Sequence, residues 1–366
     1  MTRICQVSSV HTTFDTRIFY KICQSLVKKF EVYYVSANAK TEEVSGVKIV
    51  GVELPQSRIK RSFKLGKVYQ KLCEIDAEIY HFHDPELIRI GLKMKRLGKK
   101  VIFDSHEDIP QQLLWKEYIP GFLKKIVSKI YEKYEKRALC KYDALISVTP
   151  TIVERLSKIN SNTVMITNYP VFRELDGVNM HTGGGYNICF AGGVSQQYMH
   201  ENIVESLPLT LANYLLAGPA YPGYLSRLEC KKGWKQVQYL GVLKQDEVYD
   251  LYNKSVAGLV LLGYSPNVGY HKGTLGVLKM FEYMMAGIPV IATDFDLWKE
   301  IIDSEQCGKC INPYDVSAIA DAINYYLNNP DEAKKQGLNG KKAVKEKYNW
   351  ETQEAVLFDL YNSLIE

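Results

Sequence analysis

Short apolar runs rich in β-branched and aromatic residues alternate along the chain with stretches whose apolar positions recur every three or four residues. The runs RICQVSS (3–9), EVYYVS (31–36), VKIVGV (47–52), EIYHF (78–82), VIFDS (101–105) and ALISV (144–148) predict strands, with helices over 16–29, 63–75, 85–97, 121–141 and 150–158 between them. This alternation predicts stacked βα units with parallel sheets. The periodicity stops after Tyr169-Pro170, and Gly183-Gly184-Gly185 lies in a polar linker. A second series then begins: NICFAG (187–192), ANYLLAG (212–218), VQYLG (237–241), AGLVLLG (257–263), IPVIAT (288–293) and GKCIN (308–312). Two doubly wound α/β domains are expected, 1–175 and 186–348, with 349–366 as a helix packing back across the surface between them. Open α/β sheets bind ligands beyond the carboxyl ends of their strands, so the expected site is a cleft between the two.

Composition narrows the function. The 366 residues are 46% apolar and 24% charged, enough for two ordinary cores. A net charge of +5 is too small for a general polyanion binder, so no nucleic-acid partner is expected. The charge is unevenly divided, with 30 basic and 20 acidic residues in 1–180 against 16 and 21 in the rest. No apolar run approaches the roughly 20 residues of a membrane span, and MTRICQVSSVHTTFDTR turns polar too early for a secretion signal. A cytoplasmic location is therefore expected. The eight cysteines lie mostly inside apolar runs and read as reduced thiols; Cys307 and Cys310 lack the second pair or histidine that a zinc or redox site needs.

The segment HKGTLGVLKMFEYMMAGIPVIATDF (271–295) predicts a loop entering a helix over about 276–286, then a turn and a strand. A helix opening just after Thr274-Leu275-Gly276 would point unpaired backbone N–H groups at the cleft, where with the helix dipole they favour a phosphate. Lys279 and Glu282, three apart, share a face one turn deeper, where the cation suits a diphosphate and the carboxylate suits ribose hydroxyls. A solvent-exposed Lys/Glu pair is what that spacing alone favours.

In the first half, His83-Asp84 ends one strand and Ser105-His106-Glu107-Asp108 another, so both groups reach the carboxyl edge of one sheet. His81 and His83 share a strand face, and His81 reads as a core residue. Three histidines with Asp84 form an alternative zinc set for hydrolysis, but a metal enzyme would not need the phosphate-type helix start. In HTTFDTRIF (11–19), Thr12, Thr13, Asp15 and Arg17 suit an acceptor or donor phosphates, while Asp15 or Thr16 equally suits a helix cap. The 121–141 helix carries Ile126, Ile130, Tyr134 and Ala138 on one stripe with many lysines elsewhere. A solvated face over a buried stripe is the preferred reading, with an anionic membrane surface as the alternative partner.

The run Lys279–Ile291 resembles the nucleotide-sugar motif of family 4 retaining glycosyltransferases of the GT-B fold. DTRIFYKICQSL, HFHDPELI (81–88), FDSHED (103–108), FAGGVS (190–195), LAGP (216–219) and YLGVLKQDEVYDLY (239–252) resemble further landmarks in the family's order. The resemblance implies two Rossmann-like domains, the first on the acceptor side and the second binding the nucleotide sugar. It implies sugar transfer with retention from a nucleoside-diphosphate sugar to a saccharide or lipid-linked saccharide, in cell-surface polysaccharide biosynthesis. No metal or other cofactor is required, and many relatives work on lipid-linked acceptors at the inner face of the membrane. Glu282 matches the ribose-binding acid of the family's E-x7-E motif, whereas Thr274 replaces its partner acid. After Gly192-Gly193, Gln196, Gln197, Tyr198, Met199 and His200 stand where relatives often have a diphosphate-gripping Arg or Lys, leaving Lys279, Lys272 or His271 to supply the charge. The resemblance sets His106 at the reaction centre with His83 and Asp84 in the neighbouring loop; His106, Asp84 and Lys279 are the expected catalytic residues. Rival readings are a nucleotide-sugar 2-epimerase and a non-catalytic nucleotide-sugar-binding protein.

Overall fold

The computed structural model describes residues 1–116, 119–174 and 186–365, so the 183–185 glycines lie outside the described residues. The chain divides into two compact units, Met1–Asn168 with Trp350–Glu366, and Tyr169–Asn349. The last helix thus belongs to the first unit.

In the first unit β1 (Arg3–Ser8), β2 (Glu31–Ala37), β3 (Glu42–Val44), β4 (Val47–Val52), β5 (Ile79–Phe82), β6 (Lys100–Ser105), β7 (Ala144–Ser147) and β8 (Thr163–Met165) form one sheet in the order β3-β4-β2-β1-β5-β6-β7-β8. All neighbours are parallel except β3 against β4. The strand order reverses between β1 and β5, so the loops after β1, β5 and β6 open side by side at a topological switch point. These loops carry Asp15, His83 and His106. The central strands are buried on both faces, which is why they read as nearly unbroken apolar runs. The Trp350–Ile365 helix lays Leu357, Leu360 and Tyr361 against Ile4, Ile22 and Ile79, and Trp350 Nε1 donates to Ser25 Oγ at 2.9 Å.

Two helices depart from the pattern. The helix expected over 16–29 is a π-helix, Ile18–Cys23, continued by one α-turn, Gln24–Leu26. The Gly121–Leu139 helix buries Ser128, Glu135, Ala138 and Leu139, while Phe122, Ile126 and Ile130 are 80%, 52% and 65% exposed. The preferred reading of a buried Ile126/Ile130 stripe is therefore corrected. Tyr134 and Ala138 of the expected stripe do face the core, and Glu135 beside them is buried with Arg155 as its partner.

In the second unit β9 (Asn187–Ala191), β10 (Asn213–Ala217), β11 (Val237–Tyr239), β12 (Ala257–Val260), β13 (Val290–Thr293) and β14 (Gly308–Ile311) form a wholly parallel sheet ordered β11-β10-β9-β12-β13-β14. Its switch point lies between β9 and β12. The expected α/β class with two doubly wound sheets is what the chain adopts. Among the described residues no helix is long and apolar enough to cross a membrane.

Candidate functional site

Beyond the carboxyl ends of β9 and β10, the second unit holds a cavity of about 250 Å³ whose lining includes Gly192, Gly218, Leu243, Gln245, Tyr249 and Glu282. A Cβ on Gly218 would sit 1.9 Å from the Gly192 carbonyl oxygen, so the two loops approach closely only because position 218 is glycine. Glu282 projects from the Leu278–Ala286 helix and accepts a hydrogen bond from Tyr252 Oη at 3.2 Å. One turn earlier, Lys279 Nζ lies 5.2 Å from the Phe190 ring centre, 4.7 Å from that of Tyr198 and 3.4 Å from Tyr198 Oη. No carboxylate among the described residues pairs with it. Lys279 and Glu282 are both half-buried with separate partners, and are not a solvent-exposed ion pair.

The helix opens just after Thr274-Leu275-Gly276, as expected, and ends at Ala286. The helix begins at Leu278 with Val277 as its cap, so Thr274, Leu275 and Gly276 precede its first turn. The Gly276 N–H donates to the Thr274 hydroxyl at 3.1 Å, and the Thr274 carbonyl accepts from Trp298 Nε1 at 2.6 Å. Leu275 is buried in the core, which removes its side chain from any ligand role. His271 and Lys272 are exposed; their carbonyls accept from the Asp296 and Leu297 N–H groups, and the His271 ring lies 4.0 Å from that of Tyr264. Gly193 has open space around it. His200 is buried, and burial together with the Lys279 charge lowers its pKa to about 3, so it supplies no cation.

At the switch point of the first unit, histidines gather around Asp104, a fully buried carboxylate. Arg17 Nε and Nη2 donate to its two oxygens at 2.8 and 3.1 Å, and His106 Nε2 lies 3.3 Å from Oδ2. Burial alone would raise the Asp104 pKa; Arg17 and His106 override it and hold the group ionised well below its ordinary value. Arg17 thus gives Nε and Nη2 to Asp104, while its buried Nη1 has no hydrogen-bond partner. His83, also buried, has Nδ1 at 3.3 Å from His106 Nε2 and Nε2 at 2.8 Å from Gln6 Oε1. Burial, only partly offset by Asp104, lowers its pKa to about 4.

Asp84 is buried and accepts from Ser8 Oγ at 2.9 Å and from the Ser9 N–H at 2.6 Å, which ties down the loop after β1 instead of facing a substrate. Asp15 accepts from the Arg17 and Ile18 N–H groups at 2.8 and 2.9 Å, the capping role weighed for it. Thr13 Oγ1 meets Ser36 Oγ at 3.2 Å, Thr12 is exposed, and exposed Glu107 accepts from Gln112. Among the described residues no hydrogen bond forms to His106 Nδ1, and the His11 ring lies 4.9 Å from the His106 ring.

His81, His83 and Asp104 are the residues whose ligand atoms crowd within 4.8 Å, but Arg17 occupies Asp104, Gln6 takes His83 and Tyr361 Oη lies 2.8 Å from His81 Nδ1. The zinc set built on Asp84 does not come together, because that side chain faces the β1 loop. Cys307 and Cys310 are free thiols raised in pKa to about 12 by burial, the opposite of a metal-ligating pair.

Sequence reasoning missed Gln6, His11, Asp104, Tyr198 and Tyr361. Gln6 and Asp104 carried a signal, being polar residues inside runs that otherwise read as buried parallel strands. His11 lies 3.5 Å from both Asp15 and Asp84. Burial opposes its charge, but the Asp15 hydrogen bond and the nearby carboxylates raise its pKa.

Two family models match the chain: Glycosyltransferase Family 4 over residues 4–168, and Glycosyl transferases group 1 over residues 174–343. An O-antigen chain mannosyltransferase C from Escherichia coli is 20% identical, covering 78% of this chain and 75% of its own. A sucrose-phosphate synthase structure from Thermosynechococcus elongatus superposes with a TM-score of 0.75 at 16% identity, over 100% of this chain and 99% of its own. An Anabaena protein, Alr3699/HepE, solved in complex with UDP and glucose, gives a TM-score of 0.68 at 12% identity, over 99% and 100%.

Proposed function

Because the chain belongs to the family 4 glycosyltransferases of the GT-B fold, we propose that it moves a sugar from a nucleoside-diphosphate sugar to a hydroxyl of a saccharide or lipid-linked saccharide, with retention, in cell-surface polysaccharide assembly. The observation that carries this reading is Lys279: an ammonium held over two aromatic rings, with no carboxylate partner among the described residues, on the same helix as Glu282. A cation kept free in this way suits a diphosphate, and Glu282 at the cavity suits ribose hydroxyls. Thr274 cannot replace a carboxylate on the donor sugar, since its neutral hydroxyl, which accepts from Gly276, offers no charge-assisted bidentate contact.

His106 is assigned to the reacting end of the sugar. Asp15, Asp84 and Asp104 are each held by backbone, hydroxyl or guanidinium donors, which supports a reaction in which no side chain becomes covalently linked to sugar. The acceptor hydroxyl then attacks on the face the diphosphate leaves, and the diphosphate takes the hydroxyl proton. The protein's contribution is alignment and stabilisation of the leaving charge, and no metal is required for either.

The acceptor is assigned to the inner face of an anionic membrane, with the protein peripheral and cytoplasmic. Phe122, Ile126 and Ile130 stand outward among Lys125, Lys129 and Lys133. The Arg58–Ile75 helix, linked to this one through the Ile88–Arg96 helix, adds Ile59 and Phe63 at 74% and 83% exposure beside Lys60 and Lys64. Apolar side chains standing out between lysines fit the boundary between headgroups and acyl chains.

The test is product analysis with a panel of nucleotide sugars. Transfer to an acceptor with the anomeric configuration kept is the expected result. Release of free nucleoside diphosphate and an epimerised sugar without acceptor would favour the 2-epimerase, and saturable binding without turnover the non-catalytic reading.

A further inference from the structure

Gln6 is wholly buried in the middle of β1, flanked by Cys5 and Val7, which are also fully buried. A primary amide there is costly unless both its ends are bonded. They are: Gln6 Oε1 lies 2.8 Å from His83 Nε2, and Gln6 Nε2 donates to Tyr361 Oη at 2.8 Å. Tyr361 Oη lies 2.8 Å from His81 Nδ1, and His83 Nδ1 lies 3.3 Å from His106 Nε2. A continuous chain of polar contacts therefore runs from the last helix through β1 and β5 to His106.

Such a chain has a direction. The carbonyl end of Gln6 only accepts, so His83 Nε2 carries the His83 proton and Nδ1 is a lone pair. That lone pair takes the proton of His106 Nε2, which Asp104 Oδ2, also 3.3 Å away, accepts as well. At the far end the Tyr361 hydroxyl, having accepted from Gln6, donates to His81 Nδ1 and leaves the His81 proton on Nε2, facing Asp104 Oδ2 at 4.0 Å. Reversing every bond would bring the His83 Nδ1 proton to Asp104 Oδ2 at 3.6 Å, but would turn the lone pairs of both His106 Nε2 and His81 Nε2, 3.3 and 4.0 Å away, toward the same ionised carboxylate, which is electrostatically unfavourable on balance. Asp104 thus selects the direction and Gln6 transmits it between the two histidines.

We infer that Gln6 is a positioning residue that fixes the proton of His106 on Nε2 and leaves Nδ1 as the ring nitrogen open to a substrate hydroxyl. Gln6 touches no substrate itself. The inference of which nitrogen is protonated stands on the hydrogen bonds alone; its consequence for catalysis rests on the assignment of His106 to the reacting end of the sugar.

The test is the imidazole ¹⁵N shifts of the full-length protein labelled at histidine, with His106 assigned through His106→Gln among the seven histidines. In the wild type a single Nε2–H form of neutral His106 is expected. Gln6→Met, which keeps the volume and removes both polar ends, should give averaged shifts of two exchanging tautomers. Gln6→Glu, whose carboxylate still accepts from His83, should restore the wild-type pair. In steady-state kinetics Gln6→Met should lower kcat about tenfold, a fraction of what a general acid–base group contributes, with KM for the donor unchanged. A wild-type His106 protonated on Nδ1, or unchanged His106 shifts in Gln6→Met, would overturn the inference. The wild-type reading decides even if Gln6→Met does not fold. The expected shifts with no effect on kcat would instead remove His106 from the reaction and leave the tautomer assignment standing.

Discussion

Lys279 crosses Gly192 so closely that a Cβ on the glycine would lie 2.1 Å from Lys279 Cε and 2.4 Å from Nζ. The glycine after β9 therefore does more than turn the chain: it leaves the channel through which a cation from a different helix reaches the end of the sheet. Gly192→Ala should push the ammonium off its place over Phe190 and Tyr198. Loss of a charge-assisted contact predicts nucleoside diphosphate binding weakened about tenfold or more, with the affinity for the corresponding nucleoside unchanged. Lys279→Met should do the same. Calorimetric titration with both ligands checks this, and equal losses for nucleoside and diphosphate would remove Lys279 from the phosphates.

Glu282 makes a complementary prediction. Glu282→Gln keeps the side chain's length and its bond from Tyr252 but removes the charge that ribose hydroxyls would meet. Affinity for the nucleoside diphosphate should fall about tenfold to a hundredfold. The decisive measurement compares ribose with deoxyribose ligands: the wild type should discriminate between them, and the variant should not.

The outward apolar residues of the two basic helices contribute little to the core, so their replacement should leave folding intact. Flotation with vesicles containing phosphatidylglycerol should retain the wild-type chain, and the Phe122→Gln, Ile126→Gln, Ile130→Gln triple variant should bind at least about tenfold more weakly. Ile59→Gln with Phe63→Gln should weaken binding too. Equal retention of all three proteins would exclude the apolar stripe from membrane contact.

The buried pair Arg17–Asp104 predicts an asymmetric effect on stability. Arg17→Met strands an ionised carboxylate that has no exposure to water, and should cost about 3–5 kcal/mol. Adding Asp104→Asn removes the stranded charge and should recover most of that loss, which denaturant midpoints of the full chain can measure.

The parallel strands were legible because burial on both faces writes them as unbroken apolar runs; of the three three-residue edge strands, β11 was found inside VQYLG, whereas β3 (EEV) and β8 (TVM) have no comparable apolar run around them. The spacing of Lys279 and Glu282 alone favoured an exposed pair, and the family resemblance is what singled them out. Arg17 could not be placed, since nothing local says that its partner is Asp104, 87 positions later. The same distance in sequence hid Gln6 from His83 and Tyr361. The Gly121–Leu139 helix misled in part: Tyr134 and Ala138 face inward as their spacing suggests, but Ile126 and Ile130 stand out, and the burial of Glu135 rests on Arg155, a tertiary pairing that no helical periodicity records.

His83 gives the pH prediction. Burial lowers its pKa in the folded chain to about 4, against an ordinary value of 6.5. Between those values the unfolded chain binds a proton that the folded chain refuses, so stability falls as pH drops from about 6.5 toward 4 and the loss is complete below the lower value. A shift of that size corresponds to roughly 3 kcal/mol, an upper figure for a group that also touches Asp104 and His106. His83→Gln cannot titrate, so its midpoint in urea should change less than the wild type's across this interval, while above pH 7 the variant should be the less stable of the two because its bonds to Gln6 and His106 are poorer. Parallel curves for the two proteins between pH 4 and 6.5 would mean that His83 is not the group taking up the proton.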